Sequence, residues 1–173
     1  MAMDQPPAAS RRAISISRER YERLRAEQSL FVALFAGIAA AVVGAIAWAA
    51  ITITTEYQIG FMAIAVGFIV GFAVRMGNGI DKIFGILGAV LSLFGCVLGN
   101  VFSIIGFVSK QEHLSLTETI SRLDYSKIPA IFSATFSLMD LVFYGIAVYE
   151  GYRFSFRRIN AEEVKDPETP TAK

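Results

Sequence analysis

The sequence predicts an all-α fold: a bundle of four transmembrane helices with both chain ends on the cytoplasmic side. Three observations predict it. Of 173 residues, 54% are hydrophobic and 18% charged, with mean hydropathy +0.52, whereas a soluble domain keeps about a quarter of its residues charged. The charges crowd into the tails and two loops, leaving four apolar runs at residues 30–54, 58–75, 83–108 and 129–152. The basic residues alternate between the two ends of these runs, thirteen on one side and three on the other. Such an excess marks the cytoplasmic face.

Residues 1–29 form a polar, Arg-rich cytoplasmic tail. Within residues 14–28, Ile14, Tyr21, Leu24 and Gln28 share a helical face beside Arg18 and Arg25, so a juxtamembrane helix is expected there. Arg18 and Arg25 are placed to meet anionic headgroups, at about 1 kcal/mol per basic residue near the surface; a solvated tail that only sets topology is the alternative. The first span, 30–54, is too long for a signal-peptide core and reads as a retained anchor. Glu19, Glu22 and Glu27 argue against an organelle transit peptide. The second span, 58–75, reaches the roughly 20 residues a crossing needs only with Tyr57 and Arg75 as interfacial ends. The sequence GNG at 77–79 predicts a tight cytoplasmic turn. The third span, 83–108, is followed by a loop in which Ser115 and Glu118 have capping-box spacing. Leu116, Ile120 and Leu123 then recur at helical spacing, which predicts a short amphipathic helix on the outer membrane face. Pro129 opens the fourth span, and residues 153–173 form a second cytoplasmic tail with a disordered end.

Small residues line the first three spans. Ala33, Gly37, Ala40, Gly44 and Ala47 share a face of the first; Gly60, Ala63, Gly67 and Gly71 do so in the second; Gly88, Ser92, Gly95, Gly99 and Gly106 do so in the third. Lipid does not press helices together, so association relies on the close approach that small residues permit. Gly37, Gly44, Gly67, Gly71, Gly95 and Gly99 are the expected packing positions.

The fourth span carries a polar stripe instead: Ser133, Ser137, Asp140 and Tyr144, spaced four, three and four. Counted from the outer ends at 1.5 Å per residue, Asp140 lies about 15 Å deep and Asn100 of the third span about 12 Å. A lone carboxylate at that depth costs at least about 2.5–3.5 kcal/mol. Either it stays protonated and clasps Asn100 or a backbone carbonyl, or it sits ionised in a wetted cavity. Glu150 is expected to pair with Arg153 and Arg157, and Glu56 and Asp81 to be solvated in loops.

Cys96 and His113 are single and lack metal-ligand spacing. Neither a phosphate loop, an HExxH pair nor a nucleophile elbow is present. The expectation is therefore no metal, no cofactor and no catalysis. The N-terminal arginines alternate with glutamates beside an anchor, which argues against nucleic acid as a partner.

The segment YQIGFMAIAVGFIVGFAVR at 57–75 and MDLVFYGIAVY at 139–149, followed by Tyr152-Arg153, resemble parts of a group of uncharacterised bacterial four-span integral membrane proteins. The resemblance covers roughly residues 57–153. Some members carry a cysteine-rich zinc module before the membrane part, and this chain would be a membrane-only version. The resemblance implies four spans in a bacterial inner membrane and supplies no activity. The functional expectation is a non-enzymatic scaffold or accessory subunit in the lipid bilayer, partnered by a second copy or by another membrane protein. A small oligomeric proton or cation channel or transporter using Asp140 is the alternative.

Overall fold

The computed structural model describes residues 21–57, 60–122 and 124–158, and among these every regular element is helical. Residues 21–26 (α1) precede Leu30–Thr55 (α2), Phe61–Arg75 (α3), Lys82–Gln111 (α4), Leu116–Arg122 (α5), a 3₁₀ turn at Tyr125–Lys127, Ile128–Thr135 (α6) and Leu138–Phe154 (α7). α2 and α4, of 26 and 30 residues, are about 39 and 45 Å long at 1.5 Å per residue. Both are long and apolar enough to cross a membrane. α3 and α7, of 15 and 17 residues, reach about 22 and 26 Å. α4 stands at the centre and packs against α2, α3 and α7; α3 also packs on α2 and α7.

The helix ends have local causes. The Ser29 hydroxyl accepts from the Val32 N–H and starts α2. Glu56, in left-handed backbone, ends it. Asn78, with φ 54°, turns the chain between α3 and α4. In α5 the capping box closes: Glu118 Oε2 accepts from the Ser115 hydroxyl at 3.0 Å and from its N–H at 3.3 Å, while the Glu118 N–H donates back to Ser115 Oγ. Thr119 faces inward, leaving Leu116 and Ile120 outward.

The fourth apolar run is not one helix. The continuous span expected over 129–152 is interrupted at Phe136 and Ser137, whose backbones are extended. Pro129 sits in the first turn of α6, where its missing N–H does no harm. Ser137 then restarts the helix as the N-cap of α7. Ser and Asp outcompete continued helix because their side chains satisfy the free N–H groups of a new first turn.

The core is made of small residues and a few large ones. Ala33, Ala41, Ala45, Ala63, Val66, Val70, Val74, Cys96 and Ala147 are buried together with Trp48. On α2 the buried face runs through Ala41, Ala45 and Trp48; Ala40 is only half-buried and Ala47 is exposed. The expected face is therefore corrected by about one residue along its second half.

Candidate functional site

Asp140 is the N3 residue of α7, and this placement explains a carboxylate in an apolar run. Its Oδ2 accepts from the Ser137 N–H at 2.8 Å and from the Ser137 hydroxyl at 2.8 Å. Ser137 Oγ accepts in turn from the Asp140 N–H at 3.3 Å. The box is reciprocal, and it ties the carboxylate to the N-terminal end of α7, where the helix dipole favours negative charge. Asp140 is 8% exposed.

Asn100 and Tyr144 make the contact between helices. Asn100 Nδ2 donates to Tyr144 Oη at 3.1 Å, and Tyr144 Oη donates to the Cys96 carbonyl at 3.1 Å. All three groups are buried. The expected Asp140–Asn100 clasp is thus replaced by two motifs one helical turn apart. Asp140 bonds within α7, and Tyr144 reaches α4. The Trp48 and Phe136 rings stand edge-on to Tyr144, at centroid distances of 6.4 and 5.4 Å. Ser133 belongs to α6, where its hydroxyl donates to the Ala130 carbonyl and stays exposed. The helix break separates it from the others, so the four-residue polar stripe does not exist as one surface.

Four buried polar atoms find no hydrogen-bond partner among the described residues: Trp48 Nε1, Thr52 Oγ1, Ser92 Oγ and Glu150 Oε2. Glu150 therefore departs from the expected pairing. Arg153 donates to the Tyr149 hydroxyl and lies over its ring, and Arg157 reaches Glu27 at 2.7 Å.

The packing glycines sit at close approaches. A Cβ at Gly67 would lie 2.5 Å from the Ala147 carbonyl oxygen and 2.7 Å from its Cα, so α3 and α7 touch backbone to backbone. At Gly71 it would meet Phe154 Cβ at 2.9 Å, and at Gly37 the Leu91 and Val74 side chains at 2.5 and 2.7 Å. Gly95 faces Val66 and Ala41, Gly99 faces the Trp48 ring at 2.8 Å, and Gly44 has the looser fit, 3.3 Å from Val66.

At the opposite end of α4 from Gln111, a polar node holds the tail. Asp81 accepts from Tyr21 Oη at 3.1 Å, Arg25 Nε at 3.0 Å and Gln28 Nε2 at 3.2 Å. Gln28 Oε1 accepts from the N–H groups of Ile80 and Asp81. Asp81 is therefore not merely solvated. Partial burial opposes its ionisation, but the hydrogen bonds from Gln28, Tyr21 and Arg25 and the Arg25 charge together outweigh that and hold its carboxyl below the usual range. Arg25 is engaged here rather than left free for headgroups, and Arg18 lies outside the described residues. Glu56, also expected to be solvated, pairs with Lys110; that hydrogen bond and charge hold its carboxyl low. Asp81 carries no sequence pattern that marks it, and Gln28 only its place on the expected juxtamembrane face; their meeting in space marks both.

No known protein family, curated protein or solved structure matches the chain.

Proposed function

We propose that the chain is a four-span integral membrane protein of a bacterial inner membrane, with both ends cytoplasmic, acting as a non-enzymatic scaffold or accessory subunit. The outward faces support the membrane part. Phe31, Phe35 and Val43 of α2 are 75, 67 and 63% exposed while Ala33, Ala41 and Ala45 are fully buried. In the most apolar stretch of α2 only 28% of residues are buried inside the protein. A helix of a water-soluble domain keeps its large apolar residues inward; lipid reverses the requirement. The meeting of α1, the α3–α4 turn and Arg157 at one end of the bundle supports placing both tails on one side.

The observation that carries the scaffold reading is the closed box at Asp140. Its carboxylate is bonded within its own helix, as a structural group is. The test is proton and cation flux in sealed liposomes, with wild type and Asp140→Asn side by side. The expected result is no flux above protein-free vesicles and a similar melting temperature for both. Wild-type flux that disappears in the mutant overturns the reading. A proton or cation pathway is the second reading. Its supporting observation lies elsewhere, in the unpartnered buried oxygen of Glu150, so Glu150→Gln belongs in the same series.

A further inference from the structure

The ends of α2 and α4 away from the Asp81 node border an open cleft of about 440 Å³ lined by Glu56, Phe107, Lys110, Gln111 and His113. Its volume lies within the roughly 300–1,000 Å³ range of small-molecule sites. Two of its side chains stand on unusual backbone. Glu56 and His113 adopt φ of 57° and 54° just past the ends of α2 and α4. Glycine is the ordinary residue there, and residues with a Cβ accept that conformation only at a cost. Strained backbone of this kind gathers at ligand sites. Here it carries a carboxylate and an imidazole over the same opening.

The charges in the cleft alternate. Glu56 is negative, and the C-terminal ends of the two helix dipoles add partial negative charge. Lys110 is positive, and Gln111 and His113 supply further hydrogen-bond donors. A simple anion would meet Glu56, and a simple cation would meet Lys110. A ligand bearing both signs replaces the exposed Glu56–Lys110 pair with two charge-assisted contacts. Phe107 lies one turn below Lys110 on α4, toward the apolar length of the helix, and the exposed Tyr57 and Phe61 flank the same end of the bundle.

We propose that this cleft binds a phosphoethanolamine group, with the primary ammonium on Glu56 and the phosphate on Lys110 and His113. The group can arrive as a phospholipid headgroup or as a free phosphoethanolamine ester. Only the lipid source rests on the membrane reading above.

The test is native mass spectrometry of the detergent-solubilised full chain. The probes are phosphatidylethanolamine, phosphatidylcholine, phosphatidylglycerol and free glycerophosphoethanolamine. Phosphatidylethanolamine is expected to bind tightest, because a trimethylated ammonium cannot donate to Glu56 and a glycerol carries no charge. Glu56→Gln and Lys110→Met are each expected to weaken it about tenfold, the usual effect of losing one charge-assisted hydrogen bond. Both positions are exposed and an exposed ion pair contributes little, so the melting temperatures of these variants should stay close to wild type. Binding of the lipid without binding of the free ester assigns the lipid source; equal binding of both assigns the soluble one. Phosphatidylethanolamine held no tighter than the other two lipids, or both variants binding like wild type, overturns the proposal. Release of the chain from carbonate-washed membranes would overturn the membrane reading, while binding of the free ester would still stand or fall alone.

Discussion

Asp140 and Tyr144 lie four residues apart and do different work. Replacing Asp140 with Ala leaves the Ser137 N–H and hydroxyl without their acceptor, and a lost cap of this kind costs about 1–2 kcal/mol. Asp140→Asn keeps an acceptor oxygen and should lose less than half of that. Thermal unfolding in detergent separates the two. Tyr144→Phe removes the donor to the Cys96 carbonyl and the acceptor for Asn100. Each such bond contributes about 0.5–1.5 kcal/mol, and the variant loses both. The Asp140 motif was readable in principle: Ser137-x-x-Asp140 has the same form as Ser115-x-x-Glu118, whose spacing marks a helix start. Hydropathy concealed it, because the apolar run continues on both sides and a cap inside it looks like a polar stripe. The Tyr144–Asn100 bond was not readable, since depth matching alone also pairs Asn100 with Asp140.

Helix existence and type follow from the apolar runs, but two features of the elements do not. One is the break in the fourth run. The other is the face of α2: Ala33, Gly37 and Gly44 are buried as expected, but Ala41, Ala45, Trp48 and Ala49 take the places expected of Ala40 and Ala47. Small residues are so frequent in α2 that either face offers them; Trp48, buried against Gly99, decides the rotation. Gly67 and Gly145 make the sharpest test of packing between elements. Gly67→Ala drives a methyl into the Ala147 backbone, which cannot rotate away, and should cost about 1–3 kcal/mol, as overpacking does. Gly145 has nothing within 4 Å of where its Cβ would stand. Gly145→Ala should be neutral or stabilise by up to about 1 kcal/mol through helix propensity. Equal effects at the two sites would contradict the α3–α7 contact.

Over the whole molecule, charges at both ends of the bundle bear on pH. The carboxyls of Asp81 and Glu56 are held below their ordinary values. A depressed carboxyl stabilises the folded arrangement above its unfolded-state pKa, and the contribution is lost as pH falls through the folded-state value. The tail should therefore stay docked at neutrality and loosen only in acid, as pH falls through the folded-state value of Asp81, which lies below that of a free carboxylate. Spin labels on the tail and on the α3–α4 turn report this as a distance that lengthens in acid. Because Arg25 and Asp81 are partly exposed, high salt should lengthen it as well. The distribution of arginine and lysine predicts both tails at one end, and among the described residues the segment around Arg25 and Glu27 meets Asp81 and Arg157 at one end of the bundle. The contacts that join them depend on Gln28 and Glu27, which look like ordinary tail residues until the loop and Arg157 arrive beside them.

The contact between Glu27 and Arg157, reinforced by the Arg157 N–H on the Gly79 carbonyl, brings the two ends of the described chain to one place. A linker of a few residues between positions near 27 and 158 would close the polypeptide into a ring, and cutting that ring between α2 and α3 would yield a circular permutant starting at α3. The packing of α2, α3, α4 and α7 on one another would be unchanged. The order in which its helices leave the ribosome would differ, and its success or failure would reveal whether assembly needs α2 to enter first or only needs α4 to find the others.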